Sequence, residues 1–226
     1  MTKPERDVTV AVSRAPLFRT LARATAARLA AGASLLNLPR GNPLYQCGKR
    51  CPGLYLVLSG RIMLSVGTPT ASKVIDLIGP GGYAGLATAL IGVPEVTAAE
   101  TLMDSTLLLI PREILLACAA DSAPLALQMA AALARHVHAL IVDIEAFALR
   151  SGRKRVANFL LQLSVNYGDN QRPLALPAKK SIIASRLGLT PEYFSRMLHE
   201  LIANGTIAVN GRQITVLDAV CLRQLD

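Results

Sequence analysis

Short apolar segments alternate with turn-forming residues between positions 34 and 110. The segments are SLLNL, PLYQC, GLYLVLSGRIMLSV, KVIDLI and the stretch from Val96 to Ile110. Glycine and proline punctuate them at residues 39–41, at Gly48, at Ser59-Gly60, at Pro69 and at residues 79–82. Strands this short and this evenly spaced, with no long helix between them, favour an antiparallel barrel or jelly roll.

Helical spacing flanks these predicted strands. Residues 14–31 predict one N-terminal helix, because apolar residues recur there among arginines and alanines. After Pro111, the segment REILLACAA predicts a short helix. A much longer helix is predicted from about Ser122 to Leu149, and it is followed by a further helix at 156–167 and a polar loop at 168–173.

The long helix carries an apolar seam. Its positions step by three and four residues, which is the spacing of a heptad repeat, and they are Met129, Leu133, Val137, Leu140, Ile144 and Phe147. The seam could pack on the chain's own barrel, but a helix this long beside a small barrel favours pairing with its copy. The sequence therefore predicts a homodimer, with a hinge at residues 151–155 where the pattern breaks.

Two short helices joined by a tight turn are predicted between residues 179 and 204. Gly188 ends the first helix, and Thr190 caps a second helix that has Pro191 at its first position. An apolar stripe of the second helix faces inward at Phe194, Met197, Leu198 and Leu201. Its opposite face carries Glu192, Tyr193, Ser195, Arg196 and His199. A helix-turn-helix presents polar side chains to the major groove of DNA in this way.

A β-hairpin is predicted directly after the second helix. Residues 206–209 alternate as a strand, and residues 212–217 return as its partner. Asn210-Gly211 between them is a strong hairpin signal, because both turn positions need a positive φ. Helix, turn, helix and hairpin together predict a winged helix. Arg212 at the tip has the charge to contact phosphate, and a solvated turn residue is the alternative for it.

The basic residues are densest in the part that holds the helix-turn-helix. The chain has 24 basic and 15 acidic side chains, and ten of the basic and five of the acidic ones follow Arg150. This excess permits DNA binding through counterion release without proving it. No apolar run approaches the ~20 residues of a membrane span, no secretory signal pattern is present, and four cysteines make no disulfide scaffold. We expect a soluble cytoplasmic protein without a membrane partner.

The sequence predicts neither an enzyme nor a metal centre. The three histidines, His136, His138 and His199, fall on predicted helices without a serine, cysteine or carboxylate constellation beside them. Cys47 and Cys51 have the spacing C-x-x-x-C in a predicted loop. A metal-binding or redox pair and two ordinary thiols both fit that spacing.

A β-roll, a long helix and a winged helix in this order resemble the cyclic-AMP receptor protein/fumarate-nitrate regulator (Crp/Fnr) superfamily of bacterial transcription factors. The motifs that carry the resemblance are GLYLVLSG at 53–60, Arg155-Val156-Ala157 and the stretch from Ile182 to Gly205. The resemblance implies an α+β fold with a cyclic-nucleotide-binding-like β-roll (jelly roll) and N-terminal helix at 1–121. It further implies a dimerisation helix at 122–150 and a winged helix-turn-helix DNA-binding domain at 151–226. The implied partners are double-stranded DNA, a second copy of the chain and RNA polymerase.

Two features of the barrel bear on the effector that this resemblance implies. Members that bind cyclic nucleotides carry a Gly-Glu pair and an Arg-Ser or Arg-Thr pair, where this chain has Gly85-Leu86 and Val96-Thr97. A buried phosphate would have no counter-charge there, which is costly, so no cyclic nucleotide is expected. Oxygen-sensing members hold an iron–sulfur cluster on N-terminal cysteines, but no cysteine precedes Cys47, so no cluster is expected.

Within the superfamily, the resemblance is strongest to the nitric-oxide-responsive regulators of dissimilatory nitrate respiration. It is carried by residues 121–127, by His138 before Asp143-Ile144-Glu145, and by residues 191–196. That branch implies a haem between the barrel and the dimer helix, with His138, or less favourably His136, as axial ligand. An ordinary helical histidine is the alternative. Redox chemistry at Cys47 and Cys51 and a ligand-independent DNA-binding regulator of the same fold also stay open.

The pattern Glu192-x-x-Ser195-Arg196 resembles the Glu-x-x-Ser-Arg of the fumarate-nitrate-regulator branch. Arg196 can donate two hydrogen bonds to guanine O6 and N7, and Glu192 can accept one from a cytosine or adenine amino group. Phosphate contact, which positions without specifying, suits the start of the first helix at Lys179, Lys180 and Ser181. By resemblance, the half-site is TTGAT or TTGAC in an inverted repeat spaced about one helical turn.

Overall fold

The computed structural model describes residues 3–68, 71–166 and 173–225. The chain divides into two compact units, Met1–His138 and Ala139–Asp226. Strands dominate the first unit and helices the second. The turn predicted at Pro69 and residues 168–172 of the predicted polar loop lie outside the described residues.

Two four-stranded antiparallel sheets form the centre of the first unit. Their strands are β1 (Ser34–Leu38), β2 (Pro43–Tyr45), β3 (Gly53–Ser59), β4 (Ile62–Thr68), β5 (Ala71–Ile78), β6 (Tyr83–Ala84), β7 (Ala98–Thr101) and β8 (Ser105–Pro111). One sheet has the order β1-β8-β3-β6 and the other β2-β7-β4-β5. The predicted jelly roll is confirmed.

The pairing of β3 with β8 lies at the middle of this roll. Gly53 stands opposite Pro111, and Leu54 opposite Ile110. Leu54, Leu56, Leu108 and Ile110 are buried in one apolar cluster, while Tyr55, Val57 and Leu107 are buried in a second. Because side chains alternate across a strand, β3 and β8 supply both clusters at once.

The N-terminal segment forms two helices, α1 (Lys3–Arg14) and α2 (Arg23–Gly32), so the single helix predicted over 14–31 is wrong. Pro16 lacks a backbone N–H and disfavours the α conformation at Ala15, which ends the first helix. The chain then turns at Phe18, whose amide donates to the Ala15 carbonyl at 2.9 Å and whose ring is buried.

A short helix between β6 and β7 was not predicted from the sequence. It is α3 (Leu86–Ile91), which follows the two-residue strand β6, and both are too short to show a repeat. The helix α4 (Arg112–Ala120) coincides with the predicted segment REILLACAA.

The long predicted helix is α5 (Ala123–Leu149). Its upstream turns pack into the core of the first unit through Leu125, Met129 and Ala132, and the Tyr83 hydroxyl donates to the Ala132 carbonyl at 3.0 Å. Met129, predicted to extend the dimer seam, is only 2% exposed. Since that core already covers its side chain, Met129 is not available to a second chain.

By length and composition alone, α5 is apolar enough to cross a membrane, with a mean hydropathy of 1.5 in its most apolar window. The sequence expectation that no run approaches this length overlooked α5, because Arg135, His136 and His138 interrupt its apolar residues. Its upstream half, however, is packed in the core described above.

The second unit contains the rest of the chain. Its elements after α5 are α6 (Gly152–Asn166), β9 (Leu174–Ala175), α7 (Lys180–Arg186), α8 (Pro191–Ala203), β10 (Ile207–Asn210), β11 (Gln213–Val216) and α9 (Ala219–Gln224). Residues 152–155 of the predicted hinge belong to α6, so the break is confined to Arg150 and Ser151. The Ser151 Oγ accepts a hydrogen bond from the Lys154 amide at 3.1 Å, which caps the new helix. With the β-roll and α5, this helical unit confirms the predicted α+β class.

The predicted hairpin is present, but its turn is shifted by one residue. Asn210 pairs with Gln213, so the turn consists of Gly211 and Arg212. Only Gly211 has a positive φ, of 60°, which matches a type II′ turn with glycine first and not the predicted type I′ turn at Asn210-Gly211. A third strand, β9, pairs with β11 and was not predicted.

The close approach of β3 to β8 makes Gly53 sensitive to substitution. A Cβ at this position would lie 2.1 Å from the Ile110 carbonyl oxygen, a backbone atom that cannot move aside. We expect Gly53→Ala to lower the free energy of unfolding by about 1–3 kcal/mol or more, measured by urea denaturation. Gly79→Ala is the control, because its Cβ would meet only the mobile end of the Arg61 side chain. Equal losses for the two variants would contradict this view of the β3–β8 contact.

Candidate nucleic-acid interface

The second helix of the predicted helix-turn-helix is α8, and its start follows the prediction. The Thr190 side chain accepts a hydrogen bond from the Tyr193 amide at 3.2 Å, and Pro191 takes the first helical position. Gly188, with a φ of 65°, forms the tight turn before it. The inward stripe is buried as predicted, at Phe194, Met197, Leu198 and Leu201. Burial of this stripe leaves the opposite face of α8 in solvent.

The outward face of α8 carries the predicted base-contact residues. Glu192, Arg196 and His199 are exposed, and Tyr193 and Ser195 are half-buried. The Arg196 guanidinium lies over the Tyr193 ring, 5.0 Å from its centroid. A cation is attracted to an aromatic face, so Tyr193 orients Arg196 while the guanidinium N–H groups stay able to donate.

The ring of Tyr193 lies close to Gly152 at the start of α6. A Cβ at Gly152 would lie 2.9 Å from Tyr193 Cε1 and 3.0 Å from Leu189 Cδ2. A side chain at position 152 would therefore displace the Tyr193 ring or the end of Leu189. The sequence marked Gly152 as part of a hinge and did not reveal this contact.

The predicted phosphate-contact residues lie together at the start of α7. Lys179 is the residue before the helix, and Lys180 and Ser181 begin its first turn. Lys179 and Ser181 are exposed, whereas Lys180 is half-buried. Two lysines at one helix end concentrate positive charge beside the polar face of the helix-turn-helix.

Arg212 lies at the wing tip, as predicted, and is exposed. Its Nη2 donates to the Leu176 carbonyl at 3.3 Å, and its own carbonyl accepts from the Leu176 amide at 2.8 Å. The arginine thus joins the hairpin to the segment after β9, and its charge remains at the tip.

Contacts from α5 and α6 to the helix-turn-helix were not predicted. Arg186 Nη2 on α7 lies 2.6 Å from Asp143 Oδ2 on α5. Arg155 Nε on α6 donates to the Leu187 carbonyl at 2.9 Å. The partners are separated by 43 and 32 residues, so no local sequence pattern could have signalled them.

In the β-roll, the positions that the resemblance assigns to effector binding are apolar and rearranged. Leu86 is buried in the core, and Val96 is exposed. The residue before Val96 is Glu95, which is 5% exposed and accepts a hydrogen bond from the Thr88 hydroxyl. A buried carboxylate is rare and was not singled out from the sequence. Its negative charge at this place disfavours an anionic ligand.

The cysteine pair lies beside this carboxylate. Burial, and then the charge of Glu95, raise the pKa of the Cys51 thiol to about 11, so Cys51 is protonated at neutral pH. The same two causes raise the pKa of Tyr45. Cys47 is exposed, and both cysteines are free. Because the thiolate is the reactive form, a protonated and buried Cys51 is a poor redox partner for Cys47.

The histidines that the resemblance offers to a haem, His136 and His138, are exposed on α5. The region where β6 and α3 meet α5 is filled by Leu86, Leu125 and Met129, which share one core cluster. A haem needs an apolar slot beside its axial ligand, and neither histidine is among the described members of that cluster. In residues 3–68, 71–166 and 173–225, no group of three His, Cys, Asp or Glu side chains could hold a metal ion.

Two family models match the chain. The cyclic nucleotide-binding domain model matches residues 35–122, and the Crp-like helix-turn-helix domain model matches residues 154–225. The first match covers the β-roll and α4, and the second covers most of α6 and the winged helix.

Relatives span most of the chain. The cyclic AMP receptor protein of Thermus thermophilus is 28% identical over 188 residues, which cover 83% of this chain and 85% of that protein. The fumarate and nitrate reduction regulatory protein of Vibrio cholerae is 26% identical, covering 83% of this chain and 76% of that protein. The structure of FixK2 from Bradyrhizobium japonicum has a TM-score of 0.79 at 24% identity, covering 86% of this chain and 97% of that chain, and shows the fold.

These similarities extend to both named groups of the superfamily at comparable identity, so they support the whole superfamily and not one branch. The two domain matches also occur in the order that the structure gives, with the sensor-type domain first and the DNA-binding domain second. The chain belongs to the Crp/Fnr superfamily of DNA-binding transcriptional regulators.

Proposed function

We propose that the protein is a cytoplasmic, homodimeric regulator that reads an inverted repeat with TTGAT- or TTGAC-type half-sites. The carrying observation is α8, whose apolar stripe is buried while Glu192 and Arg196 are exposed on its outward face. Double-stranded DNA is the partner of that face, and RNA polymerase is a further partner by resemblance. The Vibrio cholerae relative is a regulatory protein by name, which favours this function over an enzymatic one.

Three residues of α8 are proposed to contact the bases. Arg196 is exposed and oriented by Tyr193, so it can give two parallel hydrogen bonds to guanine O6 and N7. Glu192 accepts from a cytosine or adenine amino group, and the half-buried Ser195 lies beside Arg196. Phosphate contact suits Lys179, Lys180, Ser181 and Arg212, and the other proposed DNA-binding residues are Thr190, Tyr193 and His199.

Loss of Arg196 should change specificity as well as affinity. We expect Arg196→Ala to cost about 1–3 kcal/mol at the guanine of the half-site and to relax discrimination there. Lys180→Ala is the control, because a phosphate contact should weaken all sequences alike. Fluorescence anisotropy with the TTGAT repeat and a guanine-substituted repeat measures both effects. Intact discrimination in Arg196→Ala would show that α8 does not dock as proposed.

The homodimer is supported by apolar surface on α5 that the described residues leave uncovered. Val137, Leu140 and Ile144 are 54%, 38% and 67% exposed, and Ile141 beside them is exposed as well. Leu133 is partly packed against the first unit's core, and Phe147 lies under the Arg155 guanidinium. We therefore centre the dimer face on Val137, Leu140 and Ile144. A second α5 with the same spacing would bury them, which also accounts for the hydropathy of this helix better than a membrane does.

A charge placed in that face should separate the subunits. Ile144→Glu is expected to yield a monomer in sedimentation or light scattering, because the carboxylate would be buried opposite its symmetry-related copy. Leu149→Glu is the matched control: Leu149 is also strongly exposed on α5 but lies about 140° around the helix from Ile144 at about 100° per residue. A dimer that survives Ile144→Glu would exclude this face.

The effector is the least constrained part of the proposal. The resemblance favours nitric oxide through haem, but the candidate ligand His138 is exposed on α5 and does not belong to the core cluster that contains Leu86, Leu125 and Met129. The protonated state of Cys51 weighs against redox sensing by Cys47 and Cys51. A cyclic nucleotide would find Val96 where the family's arginine stands, with the buried Glu95 as the preceding residue. A ligand-independent regulator of the same fold is the alternative function.

Haem binding can be decided by spectroscopy. We expect purified protein mixed with haemin to show no Soret band of a specific complex, and DNA binding to be unchanged by nitric oxide. A Soret band that either His138→Ala or His136→Ala removes would overturn this expectation, and the variant that removes it would identify the axial ligand. The band would then establish haem as the carrier of the signal.

A further inference from the structure

A set of contacts joins the last turns of α5 to the helix-turn-helix. None of these contacts uses a residue of the proposed base-contact face. The set consists of Asp143, Phe147, Arg155 and Arg186, which we call the clamp. Arg186 Nη2 lies 2.6 Å from Asp143 Oδ2, and the two side chains are 22% and 35% exposed. The Arg155 guanidinium lies 5.5 Å from the centre of the Phe147 ring.

Arg155 joins three elements through one planar group. Its Nε donates to the Leu187 carbonyl at the end of α7, at 2.9 Å. Its Nη1 donates to the Arg150 carbonyl just after α5, at 2.8 Å. Both acceptors sit at helix C-terminal ends, where a positive charge is favourable. A lysine ammonium cannot present donors in this fixed fork, so the contact needs arginine.

The clamp fixes the direction of the helix-turn-helix relative to the end of α5. Arg186 and Leu187 hold α7 from two sides, and the Gly188 turn joins α7 to α8. If two copies pair through α5, the distance and angle between the two recognition helices follow from this attachment. In an inverted repeat, that distance is the spacing between half-sites.

We propose that the Asp143–Arg186 pair and the Arg155 fork are positioning residues that set which half-site spacing the dimer accepts. The inference rests on the proposed function, because it assumes a dimer that reads an inverted repeat. The clamp residues touch neither base nor phosphate in this scheme. Their effect lies in spacing preference and not in the affinity for a single half-site.

The experiment compares repeats whose half-sites are moved apart or together by one to three base pairs from the spacing that the unaltered protein prefers. The variants are Asp143→Arg, Arg186→Asp and the two combined, each measured by anisotropy on every repeat and on a single half-site. Each single variant should lose spacing preference by about fivefold or more, and the combined swap should recover most of it, as expected of a directly coupled pair. Affinity for the single half-site should stay within about twofold of the original.

Two further variants test the same contacts if a charge-reversal variant does not fold. Arg155→Lys and Asp143→Asn preserve size and should also broaden the spacing profile. Glu145→Gln is the matched control, because Glu145 pairs with Arg150 at 2.5 Å beside the end of α5 and is not one of the clamp residues.

The outcomes separate the inference from the proposed function. If the unaltered protein binds no inverted repeat better than a scrambled duplex, the proposed function fails and this inference with it. If it reads the repeat but the clamp variants keep the original spacing profile, only the inference is overturned. The inference is also overturned if the clamp variants weaken binding to the single half-site and to the repeat equally.

Discussion

The helix α5 has more apolar surface than the described parts of its own chain cover, and much of the protein's organisation follows from that constraint. Its upstream turns bury Leu125 and Met129 in the β-roll core, whereas Val137 and Ile144 stay in solvent. Exposed apolar patches of this kind usually mark an interface. In the proposed dimer, a second copy of the helix supplies a stripe of matching spacing, and an isologous pairing relates the two helix-turn-helix units by one two-fold axis. That symmetry is what an inverted repeat in DNA demands.

Elements with a strong local signal could be predicted from the sequence. The strands β1 and β3, the helix α4 and the bounds of α5 follow from apolar spacing and from the glycines and prolines between segments. The cap at Thr190 and the buried stripe of α8 follow from rules that involve residues three or four apart. Prediction failed at two turns. Pro16 splits the N-terminal helix, and the wing turn forms around Gly211-Arg212 because its register is set by pairing with β11 and not by the Asn-Gly signal alone.

Features that depend on contacts between distant residues were invisible in the sequence. Glu95 looks like a surface carboxylate in its loop, yet the fold buries it against Thr88 and beside Cys51. Arg155 belongs to a motif that identified the family, but its role as a fork between two helix ends appears only in three dimensions. The polar face of α8 was predictable as a face, whereas the stacking of Arg196 on Tyr193 and of Tyr193 on Gly152 was not.

In the proposed regulator, the residues of the β-roll and the contacts of α5 define how a signal would reach the DNA-binding unit. In the β-roll, Leu86 and Val96 stand where the resemblance places a carboxylate and a guanidinium, and Glu95 is buried beside Val96, so the residues present disfavour an anionic ligand there. Whatever its source, a signal arising there meets α5 at the Tyr83–Ala132 hydrogen bond. At the other end, α5 meets the helix-turn-helix at Asp143 and Arg186. Coupling along such a route requires an element with two discrete arrangements. In the proposed regulator, α5 is held at Ala132 and at Asp143 by specific hydrogen bonds, while its apolar pairing face stays exposed. A change in how two copies of α5 pair is therefore the simplest arrangement that could carry a signal.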